Sequence, residues 1–147
     1  MKALVQRVDS AAVTVDSLPI GAIGKGLLVF LGVEETDRQV DLDYMVDKVL
    51  HLRIFEDSQG KMNLSVQDVS GALLVVSQFT LCADTRKGRR PSYNSAASPE
   101  KAEEYYRNFL AAVKASGLQV EEGRFAAKMK VTLVNSGPVT LILDSVK

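Results

Sequence analysis

The chain is 147 residues long and balances 18 Lys and Arg against 18 Asp and Glu. That is the length of one domain with its own core, and it excludes both a disordered polyelectrolyte and a globally basic nucleic-acid binder. One cysteine, Cys82, and one histidine, His51, exclude an intrachain disulfide and a zinc site of the usual nitrogen and sulfur kind. With no signal-peptide pattern and no apolar run near the ~20 residues of a membrane helix, the chain reads as soluble and cytoplasmic, without a membrane partner.

Strand-like runs open the chain at residues 2–8 and 12–15 and recur at 27–33, their β-branched content and glycine or proline punctuation separating them from helix fragments. Gly21, Gly24 and Gly26 do not have dinucleotide-fingerprint spacing and read as a bend between strands. Thr36-Asp37-Arg38-Gln39 has the form of a capping box, and behind it Leu42, Met45, Val46, Val49 and Leu50 repeat at helical spacing. At about 100° per residue His51 falls opposite Leu42, one turn after Asp47, as a solvated surface pair rather than a catalytic base. The helix is expected to stop near Leu52, with a strand at 53–56 and a turn at Asp57-Ser58-Gln59-Gly60.

Residues 72–81 predict the next strand, continuously apolar to Val76 and therefore buried on both faces. Ser77, Gln78 and Thr80 then interrupt it. Alternation places Gln78 and Thr80 on one face and Ser77 and Phe79 on the other. A buried amide or hydroxyl costs about 1–3 kcal/mol if unpaired, so the pair is either bonded to neighbouring backbone or part of a polar pocket at the strand's end. Thr80 has no local base to make it a nucleophile. Thr85-Arg86-Lys87-Gly88-Arg89-Arg90 then sets four cations in six residues, either a solvated loop or a phosphate-binding one. Ser98 and Pro99 start a second helix carrying Ala102, Tyr105, Tyr106, Phe109, Leu110 and Val113, which closes at Ser116-Gly117. Its aromatics read as core. Strands at 128–134 and 139–143 follow, and Asn135-Ser136-Gly137-Pro138 between them reads as a hairpin connection. Helices follow only the third and fifth strand candidates. The expected fold is therefore α+β, one domain over residues 1–147, with a curled, mostly antiparallel, barrel- or roll-like sheet and two main helices.

Together, Ser77-Gln78-Phe79-Thr80-Leu81, the stretch from Ala83 to Ser92 and Asn135-Ser136-Gly137-Pro138-Val139-Thr140 resemble the D-aminoacyl-tRNA deacylase family. The likeness runs from Gln6-Arg7-Val8 through Leu52-Arg53-Ile54-Phe55-Glu56-Asp57 and Gly60-Lys61-Met62-Asn63-Leu64-Ser65-Val66 to Leu143-Asp144-Ser145. The resemblance implies a homodimeric hydrolase, with no cofactor and no metal, that cleaves D-aminoacyl-tRNA and glycyl-tRNA at the 3′-terminal adenosine. It implies catalytic positions at Ser77, Gln78, Phe79 and Thr80, with backbone N–H groups on the ester side. Gly137 and a cis Pro138 would enter the partner's pocket to select chirality, with Arg7 holding their loop. Arg86, Lys87, Arg89 and Arg90 would bind tRNA, and Phe125 and Met129 the terminal adenosine. Lacking a strong general base, such an enzyme would rely on the substrate's own 2′-hydroxyl. Two positions depart from the family pattern: Ser136 replaces the usual aspartate, and Ala126 replaces the usual glycine, which is costly if that residue has φ > 0.

Overall fold

A computed structural model describes residues 1–146. Its longest elements are β1 (Lys2–Val15) and β8 (Lys130–Asp144), which run antiparallel from Lys2↔Asp144 to Thr14↔Lys130. β1 is one strand where the sequence predicts two. Asp9 and Ser10 are exposed, and the register shifts across Gln6 to Ser10. That bulge turns the strand over, so Ala3 and Val5 enter one core while Val8, Ala11 and Val13 enter another.

On its other edge β1 pairs antiparallel with β2 (Leu18–Ile23) and β3 (Gly26–Gly32) in succession. The glycine series that reads as a bend is therefore partly strand. A Cβ on Gly26 would stand 1.9 Å from the Ala72 carbonyl oxygen, and one on Gly21 would stand 2.9 Å from that of Glu122. These glycines let strands approach where the sheet rolls up. β6 (Ala72–Ser77) lies parallel to β3, and β7 (Val120–Glu122) lies parallel to β6 and close to β2. The result is a nearly closed, curled barrel whose β1 pairings are all antiparallel, as expected, with parallel pairing only along β3, β6 and β7.

Parallel neighbours require long crossovers, and these carry the helices. α1 (Gln39–His51) and the small hairpin of β4 (Phe55–Glu56) and β5 (Met62–Leu64) join β3 to β6, and α2 (Pro99–Lys114) joins β6 to β7. Leu27, Val29, Leu31, Leu73 and Val75 face the helices, where Met45, Val49, Tyr106 and Phe109 are buried. Leu28, Leu74 and Val76 point into the barrel. The α2 boundaries match the sequence reading, with Ser98 as N-cap and Pro99 in the first turn.

α1 starts later than its predicted box. Asp41 accepts from the Arg38 N–H at 2.9 Å, while Asp37 is buried and takes the Met1 ammonium and, at 2.7 Å, the Glu34 N–H. The predicted hairpin at residues 135–138 is also corrected. Both halves of β8 pair with β1, and residues 135–140 oppose only residues 6–8. Asn135 to Pro138 thus belong to an outward bulge of a single strand.

Candidate functional site

The chain does not continue β6 through residue 81. After Ser77 the Gln78 N–H reaches the Leu31 carbonyl at 2.8 Å, and residues Phe79–Cys82 coil into a 3₁₀ turn. Gln78 and Thr80 therefore do not share a strand face. Gln78 is half-buried, Thr80 is exposed, and the Gln78 amide donates directly to the Thr80 hydroxyl. The N–H groups of Phe79 and Thr80, first in the 3₁₀ turn, have no acceptor among the described residues.

This turn forms one wall of a cavity of about 490 Å³ lined by Ser77, Gln78 and Phe79, by Ala97, Pro99 and Ala102 at the start of α2, and by Phe125, Ala126, Ala127 and Met129. The opposite wall is a turn at residues 123–129, tethered by the Gly123 N–H to the Val75 carbonyl at 3.1 Å. Gly123 has no Cβ because one would lie 2.7 Å from the Met129 sulfur. That sulfur also accepts from the Arg124 N–H at 3.4 Å. Ala126 has φ +61°, the left-handed conformation in which alanine is strained. The Phe125 ring rests 6.1 Å from that of Tyr106. Tyr106 is fixed by a 2.8 Å bond to the Val75 carbonyl, and burial holds its phenol protonated well above the usual range.

Ser77, Gln78, Phe79, Phe125 and Met129 are thus brought together. The cavity lining includes no ionisable side chain. His51 is exposed on α1 with Asp47 at 2.9 Å, as its helical position predicts. Cys82 is buried, and its thiol is pushed up to about 11 by desolvation and then by Glu34 and Asp37. No cluster of three His, Cys, Asp or Glu side chains suited to a metal occurs among the described residues. Sequence reasoning missed Ala97, Pro99 and Ala102, which carried only helix-start and helix-stripe signals. It missed Tyr93 as well, whose ring meets that of Phe79 edge-on at 5.1 Å.

The other expected residues lie outside this lining. Arg7 is buried, with Nε donating to the Ser136 carbonyl at 3.2 Å and a terminal nitrogen to the Ile54 carbonyl at 2.7 Å. Asn135 donates to the carbonyls of Arg7 and Val139, each at 2.9 Å, closing the base of the bulge. At its tip Gly137 and Pro138 are exposed, their peptide bond is cis, and Gly137 has φ +119°. The basic loop is closed by reciprocal Asp84 and Ser92 backbone bonds of 2.8 and 3.0 Å. Arg86 is engaged by Asp84 through bonds of 2.9 and 2.6 Å that hold the Asp84 carboxyl well below the usual range. Arg86, Lys87, Arg89 and Arg90 are all exposed, and the Arg86–Asp84 pair is a surface one that water screens.

A family described as D-Tyr-tRNA(Tyr) deacylase matches residues 4–144. A D-aminoacyl-tRNA deacylase of Clostridioides difficile (strain 630) is 58% identical over 147 residues, covering 100% of this chain and 99% of the relative. Another, from Thermosipho melanesiensis, is 56% identical over 148 residues with the same coverage. Among solved structures, a c-Myc DNA unwinding element binding protein superposes with TM-score 0.93 at 44% identity, over 98% of each chain. A probable eukaryotic D-amino acid tRNA deacylase shares the fold at TM-score 0.84, 18% identity and 97% coverage of each.

Proposed function

Because this chain belongs to the D-aminoacyl-tRNA deacylase family, we propose that it hydrolyses the ester joining a D-amino acid, or glycine, to the 3′-terminal adenosine of tRNA, spares L-aminoacyl esters, and acts in the cytoplasm as a homodimer. The observation that carries this reading is the division of chemistry in the cavity. Phe125 and Met129 offer an apolar face to adenine, while Ser77, Gln78 and Phe79 on the facing wall, with the unpartnered Phe79 and Thr80 N–H groups of the same 3₁₀ turn, offer polar contacts to an ester.

With no ionisable group on the cavity wall, the attacking water takes its activation from the substrate, whose ribose 2′-hydroxyl lies beside the ester. Water adds to the carbonyl carbon, and the Phe79 and Thr80 N–H groups hold the developing oxyanion. Collapse then breaks the bond to the 3′ oxygen, which departs protonated as the free tRNA end. Such preorganised donors are typically worth about 10²–10³ in rate each. Gly137 and Pro138 of a second subunit stand at the α-carbon, where their carbonyls collide with an L side chain and admit hydrogen. Glycine passes the same filter. Their exposed bulge on the free edge of β8, outside the lining of their own cavity, supports action across subunits. Arg86, Lys87, Arg89 and Arg90 contribute tRNA affinity.

The test is hydrolysis of D-, L- and glycyl-tRNA by the purified protein with and without a chelator. Cleavage of the D and glycyl esters alone, unaffected by chelation, is the expected result. Binding of tRNA that leaves every ester half-life unchanged would reduce the protein to an RNA-end binder and reject the reading.

A further inference from the structure

The turn that walls the cavity carries charge the deacylation chemistry leaves unused. From Gly123 to Leu143 the chain contains Arg124, Lys128 and Lys130 and no aspartate or glutamate, in a protein whose 18 cations and 18 acids balance over the whole chain. All three side chains are exposed, and they are interspersed with the cavity-lining Phe125, Ala126, Ala127 and Met129. None of the three has a carboxylate within ion-pair distance among the described residues. The acids just upstream are engaged elsewhere: Glu122 pairs with Lys114 at 2.9 Å, and Glu121 meets the Gln119 amide at 3.5 Å. Arg86 and Arg107, also exposed, each pair with a neighbouring acid, Asp84 and Glu103. Three uncompensated cations together are the footprint of a polyanion. Their exposure on the same short segment as the lining residues sets that polyanion beside the cavity.

Resting on the deacylase reading, we propose that Arg124, Lys128 and Lys130 form a phosphate track for the single-stranded 3′ end of tRNA, binding the phosphodiesters immediately 5′ of the adenosine held by Phe125 and Met129. Phosphate contacts fix register without reading bases, which suits a terminal sequence that all tRNAs share. The track positions the RNA and takes no part in the chemistry.

The experiment follows binding of a fluorescent, deacylated tRNA minihelix with an unpaired 3′ tail between about 50 and 200 mM salt. At about 0.7 per single-strand phosphate, replacing Arg124, Lys128 and Lys130 together by alanine should flatten the logarithmic salt slope by about 2 and weaken binding about tenfold at the low-salt end. Lys128→Arg with Lys130→Arg should keep the slope. A blunt minihelix without the tail should bind wild type and triple variant alike. An unchanged slope in the triple variant overturns the proposal, as does an equal loss on the blunt duplex. The probe carries no ester, so a protein inactive on D-aminoacyl-tRNA would sink the deacylase reading while leaving this measurement intact.

Discussion

Ala126 holds φ +61° in an exposed turn, a conformation costing an L-residue about 1–2 kcal/mol. Glycine removes that cost and gives back about 0.5–1 kcal/mol of chain entropy, so Ala126→Gly should stabilise the protein by about 0.5–1 kcal/mol. Thermal unfolding should register this as a rise of about 2–4 °C per kcal/mol; a lower Tm would mean that the methyl group packs. The sequence marks Ala126 as a departure from the family pattern. Its dihedral belongs to the turn in which Met129 packs beside Gly123, a conformation that no local pattern encodes. Thr80 is a second test at this scale. Its hydroxyl is exposed and occupied by the Gln78 amide, with no base beside it. Thr80→Ala should keep substantial D-aminoacyl-tRNA hydrolysis, whereas a 2′-deoxy terminal adenosine should lose most of it. A dead Thr80→Ala enzyme with an active deoxy substrate would restore the side chain as nucleophile.

Elements were legible where a period ran uninterrupted. α2 and the double-faced apolar run of β6 follow directly from spacing. β2 did not, because Pro19 and Gly21 depress strand propensity and the approach of β7, whose Glu122 carbonyl would stand 2.9 Å from a Cβ on Gly21, is tertiary. β7 reads as polar because its Val120-Glu121-Glu122 segment is a three-residue edge strand. The bulges in β1 and β8 each looked like the gap between two strands, since a break in alternation signals a turn and a bulge equally. The start of α1 is displaced by two residues: Thr36 and Gln39 satisfy the capping pattern, but Asp37 between them is held by the Met1 ammonium and the Glu34 N–H, and the helix begins behind Arg38 with Asp41 as the cap's acceptor. The Arg38 N–H holds the Asp41 carboxyl below its ordinary range. A lowered folded pKa contributes stability above the unfolded value of about 4 and loses it as the pH falls further. Asp41→Ala should therefore cost about 1 kcal/mol in urea unfolding at neutral pH, and wild type and variant should converge toward pH 3. Thr36→Ala should lie within about 0.5 kcal/mol of wild type. A gap between wild type and Asp41→Ala that persists in acid would mean that the carboxyl acts by packing rather than as an anion.

At the scale of the whole molecule, β8 leaves a strand of 15 residues at the sheet's edge, with Val134 and Ile142 exposed at 52% and 76%. Long unprotected edges are templates for pairing with another chain, and the Gly137-Pro138 bulge projects from this one. A two-fold dimer using it would bring the same surface of each subunit to the other, so each cavity would be completed by the neighbour's bulge. That arrangement separates two lesions that would coincide in a monomeric enzyme. Gly137→Ala puts a Cβ 2.7 Å from an Arg7 terminal nitrogen at φ +119°, displacing the tip of the bulge while leaving the cavity walls intact. Phe79→Pro removes one of the two free N–H donors of the 3₁₀ turn and leaves the bulge intact. Each variant alone should fold, by circular dichroism, and lack selective D-aminoacyl-tRNA hydrolysis. In a mixed dimer, one cavity carries both lesions and the other carries neither. Subunit exchange between the two inactive proteins should then restore about half of the wild-type activity per heterodimer, with L-aminoacyl esters still spared. If exchange is demonstrated by differently tagged chains and no activity returns, Gly137 and Pro138 serve their own subunit's cavity, and chirality is enforced without the dimer.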